Sequence, residues 1–480
     1  MAEGPIPFVN AQHSGHEELA GASPVAMNVV VDAKLCVRRR PGIAVYDEAP
    51  SVSFDEDGLD GLYETLGGAL YATSGPRANR DIYRIQDGVA EPISENSAGR
   101  FRGLGRPVFA ETERLLVFAA GHYPHRILLG SDAPAKLGGS PPKATHVVAH
   151  TQRLVVNDAD VDRTKVQYSG LAQGTTTSAG HETWPSDDAL QAGFLTAEAR
   201  PDPTVAVAEN TNELLLFGST TTQVMVPDPT FVFAPAGTID YGCAAPYSII
   251  RDEDTLYWLD HRRRFIQSSG RGATVISAPV QQALNELERV SDCFGYRVQT
   301  GPMDALVWTF PSDGITLVFQ KEGGWGQWQG RAAQNDRWQQ FKVAAHCRRQ
   351  DGTNVVATLD GRIGKLEWGE PTDLGTPVSA HVVTGYIDRG TDKKKACECL
   401  RFTLRRGGSG SQIAWFGWRD RPGAWEATIP IDLGAYRDTE PVVEFRSLGV
   451  YRRRQWFFQF SDTATLALVS AVEQYEVLDT

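Results

Sequence analysis

The chain has 480 residues, 41% of them apolar and including 20 Phe, 14 Tyr and 11 Trp, enough to fill a large core and to exclude general disorder. A net charge of -12 at pH 7 excludes a nucleic-acid binder held by bulk electrostatics, so any DNA contact has to be local or weak. With 47 Gly, 27 Pro and only 4 Met, the composition favours many short strands joined by tight turns.

Residues 1–25, with Gly4-Pro5, Gly15, Gly21 and Ser23-Pro24, read as an extended arm able to lie on a neighbour. The apolar runs Asn28 to Val31 and Cys36 to Ile43 follow. In a ring of blades, such an N-terminal strand completes the last blade and removes its exposed edge. Strand-turn-strand patterns then recur at 69–85, 115–129, 154–168, 214–226, 255–268, 306–319 and 355–368. One of the clearest is Leu306 to Phe310, the turn Pro311-Ser312-Asp313-Gly314, and Ile315 to Phe319, because Gly accepts the positive φ that such turns need. A recurrence of roughly 40 to 50 residues with several strands each is the spacing of β-propeller blades.

The spacing predicts one helix, capped by Ser277 with Pro279 in its first turn and a stripe of Ala283, Leu284, Leu287 and Val290. Pro371 to Pro377 reads as a linker, and seven short strand candidates beyond it suggest a β-sandwich. The expected fold is therefore all-β: a propeller of roughly six blades over 26–370, a linker at 371–377 and a C-terminal β-sandwich-like domain over 378–480.

No catalytic, cofactor-binding or metal-binding set is expected. Gly103-Leu104-Gly105 lacks the strand-turn-helix setting of a nucleotide loop, and His146 to His150 lacks the Glu and the helix of a zinc protease. The scattered cysteines, Cys36, Cys243, Cys293, Cys347, Cys397 and Cys399, read as reduced core residues made in a cytoplasm. No basic-then-apolar leader and no run of about 18 apolar residues is present, so the expectation is a soluble protein not exported by a cleaved signal. The blade period together with Trp325 and Trp328 motivates an alternative, a glycan-binding or glycan-hydrolysing propeller, although packing between blades is the preferred explanation of these tryptophans.

Basic clusters stand out against the acidic background. Arg38 to Arg40, Arg348-Arg349 and Arg405-Arg406 are three of them. The chosen partner-interface candidates are Arg262, Arg263, Arg264, Lys393, Lys394, Lys395, Arg452, Arg453 and Arg454, since Arg suits bidentate contact with acidic groups.

The run Val275 to Cys293, followed by Ala305 to Pro311, Thr316 to Phe319 and Gly324-Trp325-Gly326-Gln327-Trp328, resembles the packaged-DNA stabilisation proteins of short-tailed phages, also called tail hub or nozzle proteins. Arg39-Arg40-Pro41-Gly42-Ile43 is similar to that family's opening motif, and Arg446 to Asp462 to its C-terminal strands. The resemblance lapses between Ser169 and Arg200, so loop-borne contacts there do not transfer. It implies a non-enzymatic virion tail component without cofactors, assembled in the host cytoplasm as a homo-hexameric ring. Its implied partners are the portal-adaptor (head-completion) protein, a tail needle or plug, and a tailspike or fibre. Packaged double-stranded DNA would pass through the lumen without specific binding.

Overall fold

In the computed structural model the residues described are 2–8, 25–32, 36–46, 58–74, 77–86, 89–93, 101–103, 105–171, 180–185, 192–196, 202–301, 303–321, 323–331, 338–406, 412–433, 439–462 and 466–479. Each of the seven hairpins read from the sequence becomes the centre of four antiparallel strands, five of these as separate four-stranded sheets and two as parts of larger sheets. Blade 1 spans Leu59–Glu64, Leu70–Ser74, Ile82–Gln86 and Val89–Pro92. Blades 2 to 6 begin at Val108–Glu111, Val147–His150, Thr204–Asn210, Ile250–Asp252 and Phe294–Thr300. Blade 7 is Val343–Arg348, Asn354–Thr358 and Ile363–Glu367, completed by the N-terminal strand Gly42–Val45.

Six blades thus take all four strands from consecutive sequence, matching the roughly six expected, and the composite sheet adds a seventh. The ring closes because Leu59, Leu62 and Leu70 of blade 1 share an apolar cluster with Val355, Ala357 and Ile363 of blade 7. Six further clusters fill the other seams. Between blades 5 and 6, Phe265 lies 4.2 Å from Trp308 and 5.2 Å from Trp325, ring centre to ring centre. Trp325 and Trp328 are both buried, so they pack seams and offer no face to a sugar.

Turn chemistry fixes the register. In blade 5 the Asp260 carboxylate accepts the N–H groups of Arg262 and Arg264 at 2.9 and 2.8 Å, which lets Arg263 adopt φ +58°. In blade 6, Gly314 takes φ +66° at the expected Asp-Gly turn.

The C-terminal region is a sandwich. One sheet holds Lys395–Arg405, Ala467–Val477 and Val442–Arg446, and the other Ser379–Val383, Gln455–Asp462, Gln412–Arg419 and Ala427–Ile431. Leu400, Phe402 and Leu468 of the first meet Phe416, Trp456 and Phe458 of the second in one core. The second sheet is continuous with blade 6, because Val25–Met27 pairs with Ser379–Val383 on one side and at Gln327 on the other.

Several expectations need amending. Ala2–Pro5 of the arm pairs antiparallel with Ala467–Val477, and Ile6 and Phe8 enter the sandwich core, since apolar side chains at an arm's root gain more from burial than from solvent. Residues 9–24 of that arm lie outside the described residues. Val29–Val31 and Val37–Arg39, read within the propeller stretch, join the sandwich sheet. The linker is itself paired: Thr372–Asp373 runs parallel beside Ile43. The helix spans only Gln281–Glu286, preceded by a 3-10 turn Ala278–Val280. Ser277 does not cap it; its hydroxyl accepts the Phe265 N–H at 3.0 Å and donates to Gln281 at 3.2 Å, tying the helix to blade 5.

Candidate functional site

Two of the three basic clusters meet at one rim of the sandwich, because Lys395 pairs across the sheet with Tyr451. The innermost member of each cluster is buried. The Lys395 ammonium donates to the backbone carbonyls of Thr391 and Arg452, and burial holds its pKa below the usual lysine range. Arg454 bonds Asp420 at 2.7 and 3.0 Å and the Leu448 carbonyl at 2.7 Å, with its guanidinium 4.4 Å from the Tyr451 ring centre. Lys395 and Arg454 therefore hold the rim's shape and present no charge to a partner.

Lys393, Lys394, Arg452 and Arg453 are exposed. Lys393 reaches Asp479 at 3.4 Å, Arg452 the Asp392 carbonyl at 2.5 Å, and Arg453 lies 4.9 Å over the Tyr386 ring. Lys394, Arg421, Arg452 and Arg453 edge a groove of about 860 Å³ together with Asp388 and Asp392. Such a groove suits a polar partner surface carrying both signs of charge.

The third cluster stands apart on blade 5. Arg264 grips Asp260 at 2.9 and 2.5 Å, and Arg263 donates to the carbonyls of Leu284, Asn285 and Leu287, satisfying the C-terminal end of the short helix. Of this turn only Arg262 is exposed. Other clusters are likewise paired internally: Arg38 with Asp32 at 2.6 Å and Arg349 with Glu64 at 2.8 Å.

Arg40, singled out in the sequence only as part of a basic cluster and of the opening motif, forms the junction between propeller and sandwich with Asn28 and Asp373. The buried Arg40 guanidinium bonds both oxygens of Asp373, the Asn28 side chain at 2.9 Å and the Gln329 carbonyl at 3.0 Å. Asn28, at φ +55°, also donates to the Ser379 carbonyl at 2.9 Å. The signal was the motif Arg39 to Ile43, whose Arg-Pro-Gly run seats the closing strand of blade 7 beside this network.

The innermost strands of all seven blades line a central cavity of about 350 Å³. Arg106 crosses it, 3.5 Å over the Phe294 ring, donating one Nη1 to the carbonyls of Ala344 at 2.5 Å and Asp60 at 3.2 Å. Arg80 bonds the Asp60 carboxylate and the Gly105 carbonyl, the latter at 2.6 Å. His146 stacks on Tyr247 at 5.2 Å and His346 on Tyr296 at 4.8 Å; burial lowers both histidines to about 4, so they are neutral at pH 7. Among the described residues no group of three or more His, Cys, Asp or Glu is placed to hold a metal. No helix among them is long and apolar enough to cross a membrane.

Ring, composite closure and appended sandwich define the class: an all-β propeller whose N-terminal segment is woven into both units. Residues 159–368 match the model of the phage stabilisation family described as bacteriophage P22 Gp10, beta-propeller, so over that span the chain is similar to this family. The match runs through 169–200, where the resemblance read from the sequence lapses. No curated protein sequence matches the chain significantly. Solved structures with a similar fold include streptogramin B lyase (9% identity, TM-score 0.43, 67% of this chain and 97% of that chain). Virginiamycin B lyase from Staphylococcus aureus (10%, 0.43, 66% and 97%) and the WD40 propeller domain of Doa1 (11%, 0.42, 68% and 96%) are others.

Proposed function

We propose that this protein is a non-enzymatic tail hub of a short-tailed phage. The observation that supports the reading is the family match across blades 3 to 7, on a propeller locked to a sandwich by its own N-terminal strands. In this reading six copies form a ring below the portal-adaptor, retain packaged DNA and carry the needle and tailspikes or fibres. The net charge of -12 favours passage of the phosphate backbone without adhesion. The mixed-charge groove at the sandwich rim is the surface assigned to a neighbouring tail subunit.

The test is light scattering and negative-stain imaging of the purified protein, alone and mixed with a portal and adaptor assembly. A six-fold ring seated on the adaptor is the expected result. A monomer indifferent to the adaptor would overturn the reading. The paired variant Arg452→Glu and Arg453→Glu should keep the wild-type circular dichroism and melting temperature yet fail to join the ring, since both side chains are exposed. Normal assembly by that variant would remove the rim from the interface.

A further inference from the structure

The central cavity is lined by charged groups that the assembly role leaves unused. Two carboxylates, Asp60 and Glu209, and two guanidiniums, Arg106 and Arg251, line it, and a third guanidinium, Arg80, bonds Asp60. Arg80 takes Asp60, and Arg251 takes Glu209 at 2.8 Å. Arg106 is left with backbone carbonyls for its Nη1, and among the described residues its Nε and Nη2 meet no acceptor. Asp60 acts on Arg106 through space but is bonded to Arg80 and Thr73, so the free edge of the Arg106 guanidinium keeps the capacity to bind a further anion. Burial lowers the Arg106 pKa, and the Asp60 carboxylate opposes that shift.

Further donors lie beside it. Tyr247 lines the cavity with Arg106, and among the described residues its hydroxyl has no hydrogen-bond partner. The Tyr296 hydroxyl is buried and unpartnered on a residue that is 8% exposed. Aromatic rings, Phe294 among them, complete the wall.

We propose that the central cavity binds a small free oxyanion, a carboxylate or phosphate on a metabolite-sized molecule, with Arg106 as its main contact and the Tyr247 hydroxyl as a second donor. Apolar walls with a few convergent polar groups, in a volume at the lower end of the roughly 300 to 1,000 Å³ range of small-ligand sites, limit the occupant to a compact molecule. Bidentate Arg contact is the geometry that carboxylate and phosphate share.

The test is calorimetric titration of the full chain with inorganic phosphate, succinate and citrate at matched ionic strength, with glycerol as the uncharged control and an acidic hexapeptide as a macromolecular one. Saturable binding of at least one small oxyanion is expected, weakened about tenfold or more by Arg106→Gln. Should that variant fail to fold, Tyr247→Phe decides: it keeps the cation, and a several-fold loss of affinity is expected. No saturable binding by the wild type, unchanged affinity in the variant measured, or binding of the peptide alone would each overturn the proposal.

Discussion

Arg40 sits between the rings of Phe341 and Trp328, 4.5 and 5.8 Å from their centres, and gives its guanidinium to Asp373, 333 residues away. Removing one partner of a buried pair leaves the other charge stranded, which costs about 3–5 kcal/mol. Arg40→Met should therefore lower unfolding free energy by about that amount in a denaturant titration. Combining it with Asp373→Leu should restore much of the loss. Arg454→Glu, which faces Asp420 from inside the rim, should unfold the sandwich rather than merely disturb a surface. The buried histidines make the protein acid-sensitive in a definite window. His125, His146, His346 and His381 are each lowered to about 4 by burial, while an unfolded histidine titrates near 6.5. Between those values the unfolded chain binds more protons, so stability falls as pH drops from about 6.5 to 4, by up to about 1.4 kcal/mol per pH unit per histidine. Thermal unfolding across that range should show the slope, and His346→Gln should flatten it. None of these pairings was legible in the sequence, because residue type announces a charge but not the partner that the fold brings from hundreds of positions away.

At the scale of elements, the hairpins were legible and their flanks were not. Leu306 to Phe319 announces itself through β-branched and aromatic runs about an Asp-Gly turn, and all seven such units became paired strands. Innermost strands that mix polar with apolar residues, as in the short Ile250–Asp252, are passed over by periodicity. The helix was over-extended because Leu287 and Val290 continue the apolar stripe, whereas the backbone turns extended at Leu287 and the Arg263 guanidinium takes the carbonyls there. The closing strand offers a direct test. A Cβ at Gly42 would stand 2.3 Å from the Thr372 carbonyl oxygen and 2.6 Å from that of Glu370. Gly42→Ala should therefore push this strand off its seat and lower stability by about 1–3 kcal/mol, as overpacking does, measurable as a fall in melting temperature.

The whole molecule is a closed circuit rather than two beads on a string. Val25–Met27 belongs to the sheet shared by blade 6 and the sandwich, Val37–Arg39 to the other sandwich sheet, and Gly42–Val45 to blade 7. Removing residues 1–45 should leave the Ile363–Glu367 edge unpaired, and light scattering of the truncated chain should show edge-driven oligomers much larger than the full chain's species. The same weave sets an order of events during synthesis. Strands early in the chain wait for partners made some three hundred or more residues later, so blade 7 cannot close before Glu367 is made, nor the sandwich before Ala467–Val477. A nascent or prematurely terminated copy therefore exposes an open sheet edge that quality-control proteases can recognise, whereas a polypeptide carried through to the sandwich strands has that edge covered.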